Sequence, residues 1–218
     1  MNNRIHYLTE VINKNDYVNI FEDVFIKNVY NDWKIDKKSA GKDIVGKHYE
    51  NFIRVVYSEM GFLPIESRTK ILGSEYNADS AFGENQDKIK LILEDKGHYL
   101  DSTFLTRAMT NASHVFLKCI KQNIDTPYFI IDCPTKYSKY EYMFNELKEV
   151  YKECIQEILD VKFKYLYVCE HDRIESETYF ASSSNPFVLD EKLIEQKLEF
   201  LYSIKDSMTI IQPTPNEL

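Results

Sequence analysis

No stretch of 18 or more consecutive apolar residues occurs in the 218-residue chain, and the opening Met-Asn-Asn-Arg-Ile-His-Tyr lacks an apolar signal core. Neither a membrane span nor export is expected, so the chain reads as a cytoplasmic protein. Glycine and proline are scarce, six of each, and no Pro, Gly or Ser tract divides the sequence. Without a linker, one domain over residues 1–218 is expected, led by a helical segment over about residues 1–60 and large enough to bury a substantial core. Cysteine is limited to Cys119, Cys133, Cys154 and Cys169, without the paired spacing of zinc knuckles or of a small-domain disulfide framework, so buried thiols are expected. Positive charge is also short: 27 Lys and Arg against 35 Asp and Glu leave a net charge of −8. That argues against a simple nucleic-acid coat, which leaves a basic footprint where it releases counterions. It leaves room for local basic clusters, and two are present: Lys34, Lys37, Lys38, Lys42 and Lys47, and Lys136 and Lys139 among Tyr137, Tyr140 and Tyr142. Either could equally be a solvated face.

Hydrophobic periodicity gives the order of elements. Residues 18–33 and 40–60 read as helices, the second with Val45, Tyr49, Phe52, Val56 and Met60 at three- and four-residue steps and Gly61 as its stop. Short strands follow at Phe62–Glu66, Arg68–Leu72, Ala78–Gly83 and Lys88–Lys96. Leu105, Met109, Ala112, Phe116 and Ile120 mark a helix leading to a β-branched and aromatic strand at Tyr128–Cys133. A helix over Lys139–Leu159, a strand at Phe163–Glu170, a polar loop over His171–Pro186 and a last helix over Asp190–Lys205 complete the pattern. The expected class is α/β, a mixed sheet between helical layers.

One stretch carries chemistry. From Asp79 to Lys96 the chain reads Asp-Ser-Ala-Phe-Gly-Glu-Asn-Gln-Asp-Lys-Ile-Lys-Leu-Ile-Leu-Glu-Asp-Lys. Side chains alternate along a strand, so Ile89, Leu91, Leu93 and Asp95 share one face while Lys90, Ile92, Glu94 and Lys96 share the other. A hairpin turn between Phe82 and Lys88 returns Asp79 to the side of Glu94. Two carboxylates with an ammonium beside them suit a hard, oxygen-seeking cation and an attacking water. In a chain that is 28% charged, acid-x-Lys triplets also arise by chance; six others begin at Asp32, Asp36, Glu146, Asp160, Asp190 and Glu195. Most fall in polar loops or helices. The one competitor touching a strand, Asp160-Val-Lys162, has its nearest upstream strand acid at Asp132, a whole helix away. Gly41-Lys-Asp-Ile-Val-Gly-Lys-His48 nearly spells a phosphate-binding loop, but it ends on His rather than Ser or Thr and follows no apolar strand. The five histidines lack metal-pair spacing.

In its order of helix, acid-bearing strand, Glu-x-Lys strand, helix and strand over roughly residues 40–135, the chain resembles the PD-(D/E)XK nucleases, above all the type II restriction endonucleases. The family motif's Pro is Ala78 here. The resemblance implies a restriction-endonuclease-like core and Mg²⁺-dependent hydrolysis of double-stranded DNA at a specific, palindromic sequence by a homodimer. It makes Asp79 and Glu94 metal ligands, with the Asp95 backbone carbonyl as a further one. Lys96 would orient the attacking water, and Glu50 would be the extra acid that family members carry on the preceding helix. Arg107 and Asn111 follow the site in a segment rich in groups able to bond base edges, and Lys136 and Lys139 offer phosphate contacts. Two other readings stand beside this one: a nuclease on the same core without a defined target sequence, and a non-catalytic acidic module that mimics DNA.

Overall fold

The computed structural model describes residues 12–35, 42–65, 71–73, 76–85, 88–97, 101–134, 139–151, 155–170 and 187–205. Asn13 opens the first helix with a capping box: its side chain accepts from the Asp16 N–H (3.0 Å) and the Asp16 carboxylate accepts from the Asn13 N–H (3.3 Å). Helix α1 (Lys14–Ile20) widens into a π-helical segment at Phe21–Ile26 and continues as α2 (Lys27–Ile35). The Asn28 amide donates to the Asp23 and Val24 carbonyls (3.2 and 2.8 Å), which steadies that wider turn. Helix α3 (Lys42–Glu59) follows, buried through the expected stripe Val45, Tyr49, Phe52, Val56 and, just past its end, Met60. Gly61 then takes φ of +82°, a left-handed stop that favours glycine.

Four strands make one mixed sheet in the order β1 (Ser80–Gly83), β2 (Ile89–Asp95), β3 (Tyr128–Asp132) and β4 (Phe163–Leu166). The hairpin pair β1–β2 is antiparallel; β2–β3 and β3–β4 are parallel. Parallel neighbours need long crossovers, supplied by α4 (Ser102–Gln122) between β2 and β3 and by α5 (Lys139–Val150) and α6 (Gln156–Lys162) between β3 and β4. Helix α7 (Glu191–Lys205) closes the described chain, its N-terminal amides of Lys192 and Leu193 bonded to the Asp190 carboxylate (2.8 and 3.2 Å). Two cores follow from the alternation of strand side chains. Leu91, Leu93 and Ile130 pack with α1–α3 and α7 on one face, and Ile92, Phe129, Ile131 and Phe163 pack with α4–α6 on the other. The chain is thus an α/β protein with helical layers on both sides of its sheet. Among the described residues no helix is long and apolar enough to cross a membrane.

Several expected elements differ. The segment Phe62–Glu66 is not a strand in its described part: Pro64 makes a single antiparallel bridge to Phe82, flanked by bonds from the Ile65 N–H to the Ala81 carbonyl (2.8 Å) and from the Gly83 N–H to the Leu63 carbonyl (3.0 Å). The strand expected at Arg68–Leu72 is also absent from its described end, where Ile71–Gly73 is a 3₁₀ turn with Leu72 at φ of +50°. In place of one helix over Lys139–Leu159, the described residues form α5 and α6, with Tyr151 and Ile155 outside both, and the last strand stops at Leu166, with Cys169 making a single bridge to Leu189. Ile89 leaves its expected face. Phe82 pairs with Leu91 and Gly83 with Ile89, so two steps of β2 span one step of β1, and this bulge turns Ile89 into the α4 layer. Cys119, Cys133 and Cys169 are buried free thiols, and Cys154 lies outside the described residues.

Candidate functional site

The open ends of β1 and β2 carry the acids. Asp79 immediately precedes β1 rather than lying within it, and its Oδ2 accepts from the Asp95 backbone N–H at 3.0 Å. That bond ties the acid to the last residue of the neighbouring strand. Glu94 points into the α4 layer: the Tyr76 hydroxyl donates to its Oε1, and the Tyr76 ring stacks on Phe129 at 6.0 Å between centroids. Lys96 emerges on the same side, its ammonium 4.6 Å above the Phe104 ring and 3.5 Å from the carboxylate of Asp101, the N-cap of α4. Period-two alternation therefore places Glu94 and Lys96 on one face.

The electrostatics show which groups share the site. Glu94 is only 5% exposed, and its pKa is pushed up to about 7, first by burial and then by the charge of Asp79. The Tyr76 hydrogen bond and the positive charge of Arg107 oppose the rise, while Glu50 adds to it. Tyr76 is itself raised, by burial and by the charge of Glu94. Glu94 thus lies within electrostatic reach of the carboxylates of Asp79 and Glu50 and of the Arg107 guanidinium. Crowding that holds a carboxyl near neutrality is what a bound cation relieves. Among the described residues no group of three or more His, Cys, Asp or Glu is placed so that it could hold a metal ion.

Glu50 reaches this set because α3 passes unusually close to the end of β2. A Cβ on Gly97 would lie 2.6 Å from Gly46 Cα and 2.8 Å from the Val45 carbonyl oxygen, so the two backbones meet where only glycine fits. Gly46 is one turn before Glu50. The near-match to a phosphate-binding loop therefore resolves, from Lys42 onward, into a helix against whose backbone Gly97 packs.

Asp95 faces the other way. Its side chain is 6% exposed and lies beside Asp132, its register partner on β3. Burial and then the charge of Asp132 push its pKa well up, and neither of its oxygens has a hydrogen-bond partner among the described residues. Asp132 is fully enclosed and satisfied by three donors, Tyr49 (2.7 Å), Tyr57 (3.1 Å) and the Lys197 ammonium (2.5 Å). The Asp132 carbonyl also accepts from the Lys96 N–H at 2.8 Å. This network clamps α3 and α7 to the sheet directly behind the acids. It was invisible in the sequence: Lys197 closes one of the chance triplets, Glu195-Gln-Lys, which periodicity assigns to a helix surface, yet it is buried. Tyr76 was missed too, since it follows an irregular segment without periodicity.

The remaining candidates scatter. Arg107 is exposed on α4, 5.5 Å from the Phe104 ring centroid, and Asn111 lies one turn on, lining a small cavity with Tyr76 and Lys118. Lys136 lies outside the described residues, as does the Lys139 side chain, although its backbone begins α5. The competing Asp160 and Lys162 close α6 directly before β4, as expected; Asp160 pairs with Lys148 at 2.5 Å, and Lys162 caps the Tyr128 ring at 3.7 Å. Both are thus engaged in contacts of their own. Comparison with protein-family models, curated proteins and solved structures finds no match.

Proposed function

We propose that this chain is a magnesium-dependent type II restriction endonuclease of the PD-(D/E)XK kind, with a restriction-endonuclease-like core, cutting a specific double-stranded DNA sequence as a homodimer. The observation that carries the reading is the placement of Asp79, held by the Asp95 N–H at 3.0 Å, beside Glu94 at the strand ends, with Lys96 two residues beyond Glu94 on the same face. Asp79 and Glu94 would hold the ion. When bound there, magnesium would lower the pKa of a water and neutralise charge on the phosphate.

The chain's own residues have separable tasks. Tyr76 fixes one Glu94 oxygen, which leaves the carboxylate one orientation. Lys96 is held by a part-exposed ion pair with Asp101, an interaction of about 1 kcal/mol or less, so its ammonium can swing to orient the attacking water. Arg107, whose charge reaches Glu94, is suited to the scissile phosphate more than to a base edge. The Asp132–Lys197 clamp keeps the strand ends and Glu50 in register from behind.

Incubating the purified protein with phage DNA and Mg²⁺, then sequencing the product ends, tests the proposal. Discrete fragments with one common end sequence support it. A smear favours a nuclease without a defined target, and intact DNA under all divalent conditions refutes hydrolysis.

A further inference from the structure

The outer face of α3 carries a feature that the acid cluster does not use. Lys47, Asn51 and Arg54 recur there at four- and three-residue steps, so they line one side of the helix. With Asn28, His48 and Glu50 they border a groove of about 400 Å³. His48 is held by Asp32 at 2.8 Å, which fixes one wall. Arg54 also borders a second cavity, of about 140 Å³, together with Ser80, Phe82 and Pro64 at the edge strand β1. The two spaces therefore share a guanidinium. At the far end Ser80 is 4% exposed, and its hydroxyl has no hydrogen-bond partner among the described residues. Ser80 directly follows Asp79 in the chain and Glu50 borders the groove, so the path adjoins two of the acids, while Glu94 lies on the opposite face of the sheet.

We infer that this polar track, from Lys47 past Glu50 and Arg54 to Ser80, takes the phosphate backbone of the duplex strand entering the site. The inference rests on the nuclease reading and adds to it a surface that brings the duplex to the acids. Lys47 and Arg54 are seven residues apart, about 10 Å along the helix axis. That exceeds the axial rise of about 3.4 Å per phosphate of one strand, so the two cations meet different phosphates. The chain's net charge of −8 makes a local cationic path necessary, because an acidic exterior otherwise repels the polyanion. An unpartnered hydroxyl beside an arginine at the end of such a path is a natural donor pair for a phosphate oxygen.

The test measures binding without cleavage, by fluorescence anisotropy of a labelled duplex in Ca²⁺ over a salt series. The Lys47→Ala/Arg54→Ala double variant is expected to lose affinity about tenfold or more and to flatten the log–log salt slope by about 2, one charge per phosphate lost. The control double variant Lys121→Ala/Lys192→Ala removes the same charge from exposed positions on α4 and α7 and is expected to leave the slope unchanged. Ser80→Ala should weaken binding without altering the slope. A wild-type protein that binds and cuts DNA while the Lys47/Arg54 variant keeps its slope, or an equal loss in the control pair, overturns the track and leaves the nuclease reading standing. A wild-type protein with no affinity for duplex overturns both.

Discussion

Replacing Glu94 by Gln should make the protein more stable at alkaline pH while abolishing its cleavage. Glu94 ordinarily ionises at 4.5, and in the fold burial and the charge of Asp79 raise it to about 7. Because the folded-state value lies above the unfolded one, ionisation opposes folding. The penalty is absent below pH 4.5, accumulates between 4.5 and about 7, and is complete above 7. Each unit corresponds to about 1.4 kcal/mol, so the full penalty is about 3 kcal/mol. Gln keeps an acceptor for the Tyr76 hydroxyl and the same volume but cannot ionise. Urea unfolding of wild type and Glu94→Gln at about pH 8.5 should then show the variant more stable by up to about 3 kcal/mol, and by under about 1 kcal/mol at about pH 5. Against a total of about 5–15 kcal/mol this is a large effect. Magnesium should reverse the wild-type trend, raising its unfolding midpoint more at the higher pH, where the carboxylate is ionised, and leaving the variant unmoved. A variant destabilised equally at both pH values would refute the crowded-carboxylate account, since a merely structural hydrogen bond has no such pH signature.

Asp79→Ala, Glu94→Ala and Lys96→Ala should each reduce cleavage below detection in a plasmid-nicking assay while binding DNA in Ca²⁺, whereas Asp160→Ala should cut normally; activity lost at Asp160 and kept at Glu94 would move the site. Cleavage should run with Mg²⁺ or Mn²⁺ and stop in EDTA, and cutting in excess chelator would sink the metal mechanism. Lys197→Met strands the Asp132 carboxylate in the core and should cost about 3–5 kcal/mol by urea unfolding, most of it recovered in Asp132→Asn/Lys197→Met; a double variant no more stable than the single would refute the ion-pair account. Gly97→Ala brings a methyl carbon within 2.6 Å of Gly46 and should cost about 1–3 kcal/mol of stability; an unchanged urea midpoint would refute the close packing of α3 on β2.

The legible parts of the fold are those set by periodicity within one element. The three- and four-residue steps from Val45 to Met60 and from Leu105 to Phe116 mark helices because each helix buries one stripe. The hairpin was legible from the polar run between Phe82 and Lys88. What escaped depends on pairing between elements. The bulge that turns Ile89 into the other layer is a mismatch in step count between two strands, and nothing in the β2 residues alone records it. Its nearest trace is Gly83, where a Cβ would lie 2.3 Å from the Lys88 carbonyl oxygen. The expected strand at Arg68–Leu72 had apolar residues but no sheet partner to claim them in its described part.

The candidate site divides along the same line. Glu94, Lys96 and Asp79 could be placed together from strand alternation and one turn, but alternation also sends Asp95 to the opposite face, and what it meets there could not be read. It meets Asp132, and Asp132 meets Lys197, a residue 65 positions away. Adjacent acids on one strand thus fall into different environments: Glu94 among carboxylates at an open strand end, Asp95 in a closed layer behind it. The two are coupled through the backbone, since the Asp95 N–H holds Asp79 and the Lys96 N–H holds the Asp132 carbonyl. A change to the buried cluster therefore reaches the acids by moving the strand end, with no contact between Lys197 and Glu94 required. Disruption of Asp132 or Lys197 should accordingly disturb metal binding by a variant that still folds, such as Asp132→Asn/Lys197→Met. Calorimetric titration of that variant with Mg²⁺ should show weakened binding, and affinity equal to wild type would mean that the clamp stabilises the fold without positioning the site.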